Sequence, residues 1–251
     1  MVGCSGSFPA PGSPASCYLV EATEETGRTY RVLLDFGSGA IGPLQQFVAL
    51  DTIDAMLLSH LHPDHCADLS GLYVALRYRP GGPAEHRIPV YGPAGTLRRI
   101  TDAYGADANG KPEQVYAVTE LTDGQQLRFG PLLVTARQVL HLGEAYGFRL
   151  EADGRAVAYS GDTDACPALV ELADGTDVFL CEASFLEDRD TARGVHLTAR
   201  RAGETAALAG VARLMLTHLP VWNDPAAVAA EASSAFAGTV ELARAGQVLE
   251  L

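Results

Sequence analysis

Residues 59–65 read Ser-His-Leu-His-Pro-Asp-His and follow directly on the apolar run Ala55-Met56-Leu57-Leu58. That order constrains the chain more than any other feature, because it asks for a strand, a tight turn and then a helix. Residues two apart on a strand project to the same side, so His60 and His62 leave the strand end facing one point. The turn through Pro63 then aims Asp64 and His65 at a neighbouring point. Imidazole nitrogen and carboxylate oxygen together suit Zn²⁺, and also Mn²⁺ or Fe²⁺. Three of only 7 histidines fall within these six positions, which is more than a chance polar loop supplies.

The 251 residues can bury one large core, and we expect a single domain over 1–251. Hydrophobic residues make up 47% and charged residues 20%, which excludes a disordered chain. The net charge of −13 repels a polyanion on average, whatever local basic pairs such as Arg98-Arg99 or Arg200-Arg201 do. Long nucleic acid is therefore disfavoured, while a small anion drawn in by bound dications stays compatible. The five cysteines Cys4, Cys17, Cys66, Cys166 and Cys181 are scattered, odd in number and lack a CxxC pair. That pattern fits a reducing compartment better than a disulfide framework. Residues 1–20 lack a signal-peptide pattern, and no run of about 18 apolar residues is present to cross a membrane. A cytoplasmic location is the expectation.

Short apolar runs bounded by turn residues predict strands at 17–21, 30–36, 54–58, 88–91, 115–118, 127–139, 146–151, 155–160, 177–181, 213–217 and 238–250. Helical patterns occupy 64–79, 96–104, 166–173, 198–210 and 225–236, the last opened by Asp224 and Pro225. Strands and then interleaved helices, repeated in a second half, predict an α/β fold with two sheets sandwiched between helices. Met1-Val2 runs straight into the Gly-rich stretch Gly3-Cys4-Ser5-Gly6-Ser7, so the native chain is expected to begin a few residues earlier.

The HxHxDH pattern after a strand resembles the signature of the metallo-β-lactamase superfamily. Asp35 in Leu-Asp-Phe-Gly, His141, Asp162 in Ser-Gly-Asp-Thr and His218 in Leu-Thr-His follow in that superfamily's order. The resemblance spans nearly the whole chain and implies a four-layer αβ/βα metallo-β-lactamase sandwich. It also implies two divalent metal ions, zinc first among them. One would be held by His60, His62 and His141 and the other by Asp64, His65 and His218, with Asp162 between them. Each position would stay open to water or substrate, as a catalytic site must. Superfamily members that cleave β-lactams usually lack an Asp at the shared position, so Asp162 argues against lactam hydrolysis.

Two further stretches are similar to the RNase Z-like phosphodiesterase branch. Cys181-Glu182-Ala183-Ser184 ends a strand, and Val195-His196-Leu197-Thr198 opens a helix. In that branch a comparable Glu and His lie beside the metals, which implies catalytic roles for Glu182, His196 and Asp64. Attack on phosphorus expels an alkoxide that needs a proton, and Glu182 could keep His196 protonated to supply it. The competing reading has Glu182 binding backbone donors and His196 on the surface.

Ser7, Gly3, Gly6 and Asp35 are expected to shape the floor of the site. Asp35 either supports a ligand from behind or caps a turn before Gly37. Cys66 is expected to be a buried helix residue and not a ligand. Trp222 either walls the pocket or packs.

RNase Z enzymes carry a tRNA-gripping arm between the equivalents of His141 and Asp162. Here that interval of 21 residues (162 − 141) holds two predicted strands and an Asp153-Gly154 turn. The compact actinobacterial cyclic-nucleotide (cAMP) phosphodiesterases of this branch share Gly3–Ser7, Ser13–Ser16, Ser59–His65, Tyr159–Thr163, Val178–Ser184 and Leu216–His218. Hydrolysis of a 3′,5′-cyclic nucleotide is the function implied. An RNase Z-like 3′-end endonuclease, a thioesterase or lactonase of the same fold, and a binding module without turnover are the alternatives. Superfamily relatives are often dimers, so a homodimer is the assembly to look for.

Overall fold

The computed structural model describes residues 1–84, 86–105 and 111–251. A five-stranded sheet runs in the order β1 (Tyr18–Thr23), β2 (Thr29–Leu34), β3 (Ala55–Leu57), β4 (Ile88–Gly92) and β5 (Tyr116–Glu120). Its first pair is antiparallel and the other pairs are parallel. The second sheet has seven strands: β6 (Gln126–Phe129), β7 (Leu132–Gln138), β8 (Tyr146–Ala152), β9 (Arg155–Tyr159), β10 (Val178–Glu182), β11 (Arg213–Thr217) and β12 (Thr239–Leu242). From β6 to β9 the neighbours are antiparallel, and from β9 to β12 they are parallel.

Strand alternation explains why both faces of each sheet are apolar. Val32, Leu34, Ala55 and Leu57 of the first sheet share a buried cluster with Val178, Leu180 and Met215 of the second. Leu33 and Met56, one residue out of phase, pack outward. There they meet the helices α1 (Ile41–Leu44), α3 (Leu69–Arg77) and α4 (Thr96–Tyr104). Phe179, Cys181, Leu214 and Leu216 do the same on the far side, under α5 (Pro167–Ala173), α6 (Ala199–Ala209) and α7 (Pro225–Ser233). The layers are therefore helix, sheet, sheet, helix, as expected for the αβ/βα sandwich.

Three boundaries differ from the sequence reading, each for a local reason. The predicted strand 127–139 is two strands, because Gly130 at φ 55° and Pro131 turn the chain between β6 and β7. The predicted helix 64–79 is split into α2 (Pro63–Cys66) and α3, and Asp68 at the break accepts from the Gly39 and Ile41 amides. The last strand stops at Leu242, and a turn at Gly246 (φ 86°) follows. The Asp153-Gly154 turn has both residues at positive φ, the two-residue hairpin geometry that matches strand twist.

Among the described residues no helix is long and apolar enough to cross a membrane. Polar residues gather at the carboxyl ends of β2, β3, β9, β10 and β11, where parallel strands leave a crevice.

Candidate metal centre

Six of the 7 histidines converge on that crevice. His60 leaves β3, and His62 stands in extended conformation at the N-cap of α2, whose first residue is Pro63. Asp64 and His65 lie within that single turn. Gly37 lets the backbone after β2 pass against the Asp64 carbonyl, a space that any Cβ would fill.

Two groups of four donor atoms result, with a third of three, Glu182, His196 and His218, beside them. His60, His62, His141 and Asp162 place theirs within 4.8 Å of one another, and so do Asp64, His65, Asp162 and His218. Asp162 belongs to both. In the first group His60 Nε2 lies 2.8 Å and His141 Nε2 3.3 Å from His62 Nδ1. In the second, His65 Nε2 lies 3.2 Å from Asp162 Oδ1 and 3.3 Å from His218 Nε2, which is 3.1 Å from Asp64 Oδ2.

The partners behind the rings settle which nitrogen carries the proton. Asp35 Oδ2 accepts from His65 Nδ1 at 2.7 Å. The Ser59 hydroxyl donates to Asp35, so it receives the Nδ1 proton of His60 at 3.1 Å. The Ser184 hydroxyl donates to the His218 carbonyl and accepts from His218 Nδ1 at 2.7 Å. His141 Nδ1 donates to the Val195 carbonyl at 2.6 Å. All four rings therefore turn Nε2 inward. Asp162 Oδ1 completes the set as a buried carboxylate oxygen without a hydrogen-bond donor. Inward ring nitrogens around a carboxylate oxygen that lacks a hydrogen-bond donor fit a divalent cation.

Burial pulls His65 down, but Asp162 and Asp35 outweigh it and hold its proton well above the ordinary histidine range. Asp162 is held well below the carboxylate range against its burial by His218, His65 and His60. His60 is pushed well down by burial and by neighbouring His65, which keeps it a neutral donor.

His196 and Glu182 lie beside these groups. His196 Nδ1 donates to Glu182 Oε1 at 2.8 Å, leaving Nε2 free. Burial lowers the His196 pKa, and the Glu182 carboxylate more than offsets it, for a value of about 9. Glu182 is fully buried and also accepts from the Thr163 and Ser184 amides. Both readings of Glu182 thus hold at once: it binds backbone donors and it fixes His196.

Asp35 is no simple turn cap. It sits at φ 56° and accepts from Ser59, Tyr159 and His65. Among the described residues four non-glycine residues have positive φ, and three of them, Ser7, Asp35 and His218, border this crevice, as strain at a working site does. The Ser7 amide faces His218 Nε2 at 3.3 Å, and Gly6 fits against the His218 carbonyl, whereas Gly3 pairs with Cys17 away from the donors. Cys66 donates its thiol to the Leu61 and His62 carbonyls and stays outside both groups. Trp222 is 59% exposed and packs on Phe8 with ring centroids 5.4 Å apart.

Ser59, Tyr159, Ser184 and Asp164 escaped the sequence reading as supporting residues. Ser59 and Ser184 sit inside the very motifs that point to the site, the one signal that could have found them. Between His141 and Asp162 the chain forms only β8, the two-residue turn and β9, apart from short connections.

Residues 30–219 match the family model described as a β-lactamase superfamily domain. An uncharacterized protein of Mycobacterium leprae is 40% identical over 100% of this chain and 87% of its own length. The probable metallo-hydrolase YhfI of Bacillus subtilis is 29% identical over 100% of this chain and 98% of its own. Its crystal structure superposes with a TM-score of 0.86 at 28% identity, covering 99% of this chain and 96% of that one. Ribonuclease Z of Anoxybacillus flavithermus is 27% identical over 87% of this chain and 85% of its own.

Proposed function

The chain belongs to the β-lactamase superfamily, and we propose that within it this protein is a dinuclear metal-dependent phosphodiesterase acting on a 3′,5′-cyclic nucleotide such as cyclic AMP. Family membership, with metallo-hydrolase and ribonuclease Z relatives, supports a hydrolytic enzyme of the metallo-β-lactamase fold. His60, His62 and His141 would hold one cation, Asp64, His65 and His218 the other, and Asp162 both. Zinc suits this mixture of nitrogen and oxygen donors, with manganese or iron as alternatives. Two bound divalent cations supply Lewis acidity and make water a nucleophile near neutral pH.

The observation that carries the phosphodiesterase reading is His196 held by Glu182 at 2.8 Å beside the shared carboxylate. Its free Nε2–H is available to the leaving oxygen, so the 3′ oxygen of the ribose departs as a hydroxyl and not as an alkoxide. Glu182 raises the proton affinity of that ring and fixes its direction, while Thr163 and Ser184 fix Glu182 in turn. Asp64 contributes a buried carboxylate oxygen to the second group, where it would orient the attacking water. Thioester and lactone leaving groups need less protonation, so the pair would have little to do in a thioesterase or lactonase.

The short β8–β9 hairpin between His141 and Asp162 supports a small substrate, as does the net charge of −13. The ribonuclease Z relative keeps RNA 3′-end cleavage as the second reading. A screen of the full chain, loaded with zinc or manganese, against cyclic AMP, cyclic GMP, cyclic dinucleotides and precursor tRNA separates the two. The proposal expects 5′-monophosphate from a cyclic mononucleotide. Cleavage of the precursor tRNA at physiological salt with the cyclic nucleotides untouched would establish the RNA reading instead.

A further inference from the structure

Asp164 lies two residues beyond Asp162 and is 2% exposed, yet it belongs to neither donor group. Its Oδ2 accepts the Gly194 amide at 2.6 Å, and its Oδ1 accepts the Ala165 amide at 2.7 Å and pairs with the Arg201 guanidinium. Gly194 sits at φ 76°, a conformation that frees its amide to point at the carboxylate. Arg201 is on the first turn of α6, where its own amide caps back to Thr198. One buried carboxylate therefore pins both ends of the strap 194–201.

The contents of that strap give the contact its meaning. The Val195 carbonyl receives the Nδ1 proton of His141 at 2.6 Å and so selects its tautomer. His196 is the next residue, and Leu197 behind it is fully buried. The Asp164 amide also donates to the Leu140 carbonyl at 2.7 Å, beside His141 from the other direction. Thr163, between the two aspartates, donates its amide to Glu182. Asp164 thus joins the segment carrying the shared carboxylate, the segment carrying His141 and the segment carrying His196.

We propose that Asp164 and Arg201 are positioning residues that set the His196 ring against the leaving oxygen and the His141 ring against its cation. This rests on the reading of His196 as proton donor. A residue that merely staples the fold would cost stability without changing which substrates suffer. A residue that aims His196 changes the leaving-group dependence, since a displacement near 1 Å can cost about 100-fold.

The test uses the full chain loaded with zinc, as wild type, Asp164→Asn, Asp164→Ala and Arg201→Gln. Substrates are cyclic AMP, whose alkoxide needs a proton, and bis(p-nitrophenyl) phosphate, whose phenolate does not. With zinc in excess, so that the His141 group stays filled, Asp164→Ala is expected to lower kcat on cyclic AMP by roughly 10- to 100-fold, with bis(p-nitrophenyl) phosphate within about threefold and KM little changed. Asp164→Asn should fall between Asp164→Ala and wild type. Nitrogen NMR of the metal-free protein reads the same clamp without turnover. Wild type should show His141 protonated at Nδ1, and Asp164→Ala a mixture of tautomers with the His196 pKa lowered.

Equal losses on both substrates, or unchanged His141 and His196 signals in a folded Asp164→Ala, would overturn the proposal. If Asp164→Ala does not fold, Arg201→Gln, altered at the more exposed end, must show the same shifts at smaller size. A wild type inactive on both phosphodiesters would remove the proposed function, while the NMR comparison still decides the clamp.

Discussion

The two donor groups that share Asp162 are built differently. The one made by Asp64, His65 and His218 is buried throughout, and its two rings are braced by the Asp35 carboxylate and the Ser184 hydroxyl. The one made by His60, His62 and His141 is braced by a hydroxyl and a backbone carbonyl, and His62 is exposed, with only neighbouring rings in contact with its inward nitrogen. A buried, carboxylate-backed set holds its side chains in place before anything binds, whereas the other set reaches solvent through His62. The difference teaches that rigidity and access are divided between the halves of one site, with Asp162 and His196 at the seam.

Removing the seam should have the largest effect. Asp162→Ala takes a donor from both groups, so turnover should fall by more than the roughly 100-fold that losing an outer partner costs. Metal counting on the same sample should show loss from both groups. Retention of either in full would break the symmetry claimed for Asp162.

His196→Ala comes next, because positioned proton transfer contributes about 10²- to 10⁴-fold. Here loss of a proton donor leaves metal content as in wild type, a result that counts because His196 also brings a donor atom within 4.8 Å of Glu182 and His218. Loss of metal would reassign it as a ligand. The pH profile gives a sign as well as a size. His196 must be protonated to act, so activity declines as pH rises through its pKa of about 9. Glu182→Gln removes the charge that raises it, and the alkaline limb should move down toward 6.5, the ordinary histidine value. A limb that stays in place would detach the pair from catalysis.

Asp35→Asn probes the braced half. It turns an acceptor toward the Ser59, Tyr159 and His65 donors into a donor, which costs about 1–3 kcal/mol for each buried group left unsatisfied. Thermal unfolding should show that loss, and affinity in the second group should drop by about 10- to 100-fold, with a smaller drop in the first group, which Asp35 reaches only through Ser59 and His60. Equal loss from both groups would erase the contrast between them. The smallest effect is expected at Trp222, exposed and packed on Phe8. Trp222→Ala should raise KM for a cyclic nucleotide about fivefold, the low end of base stacking at ~1–3 kcal/mol, and leave kcat unchanged.

What was legible in the sequence followed from spacing along short segments. The strand and turn around Ser59–His65 and the two-residue turn between β8 and β9 are local patterns that form where the residues say they should, and the helix that follows starts there but breaks after Cys66. The places of His141, Asp162 and His218 are contacts across the fold, and they were reachable only through resemblance to a family. Boundaries failed where one residue overrode a run: Gly130 and Pro131 cut a strand, and Asp68 spends its carboxylate on Gly39 and Ile41 at a helix break. Asp35 was open between two roles because its partners, Tyr159 and His65, lie 124 and 30 residues away. Asp164 gave no signal at all, since its meaning depends on Gly194 and Arg201 folding back onto it.

The central claim is that turnover of a small phosphodiester needs both donor groups filled. Stepwise addition of zinc to the metal-free full chain, with cyclic AMP hydrolysis followed at each step, tests it directly. The account predicts little activity while the buried group fills and 5′-AMP production that rises with the second equivalent. Full turnover after one equivalent, or none after two, would contradict it.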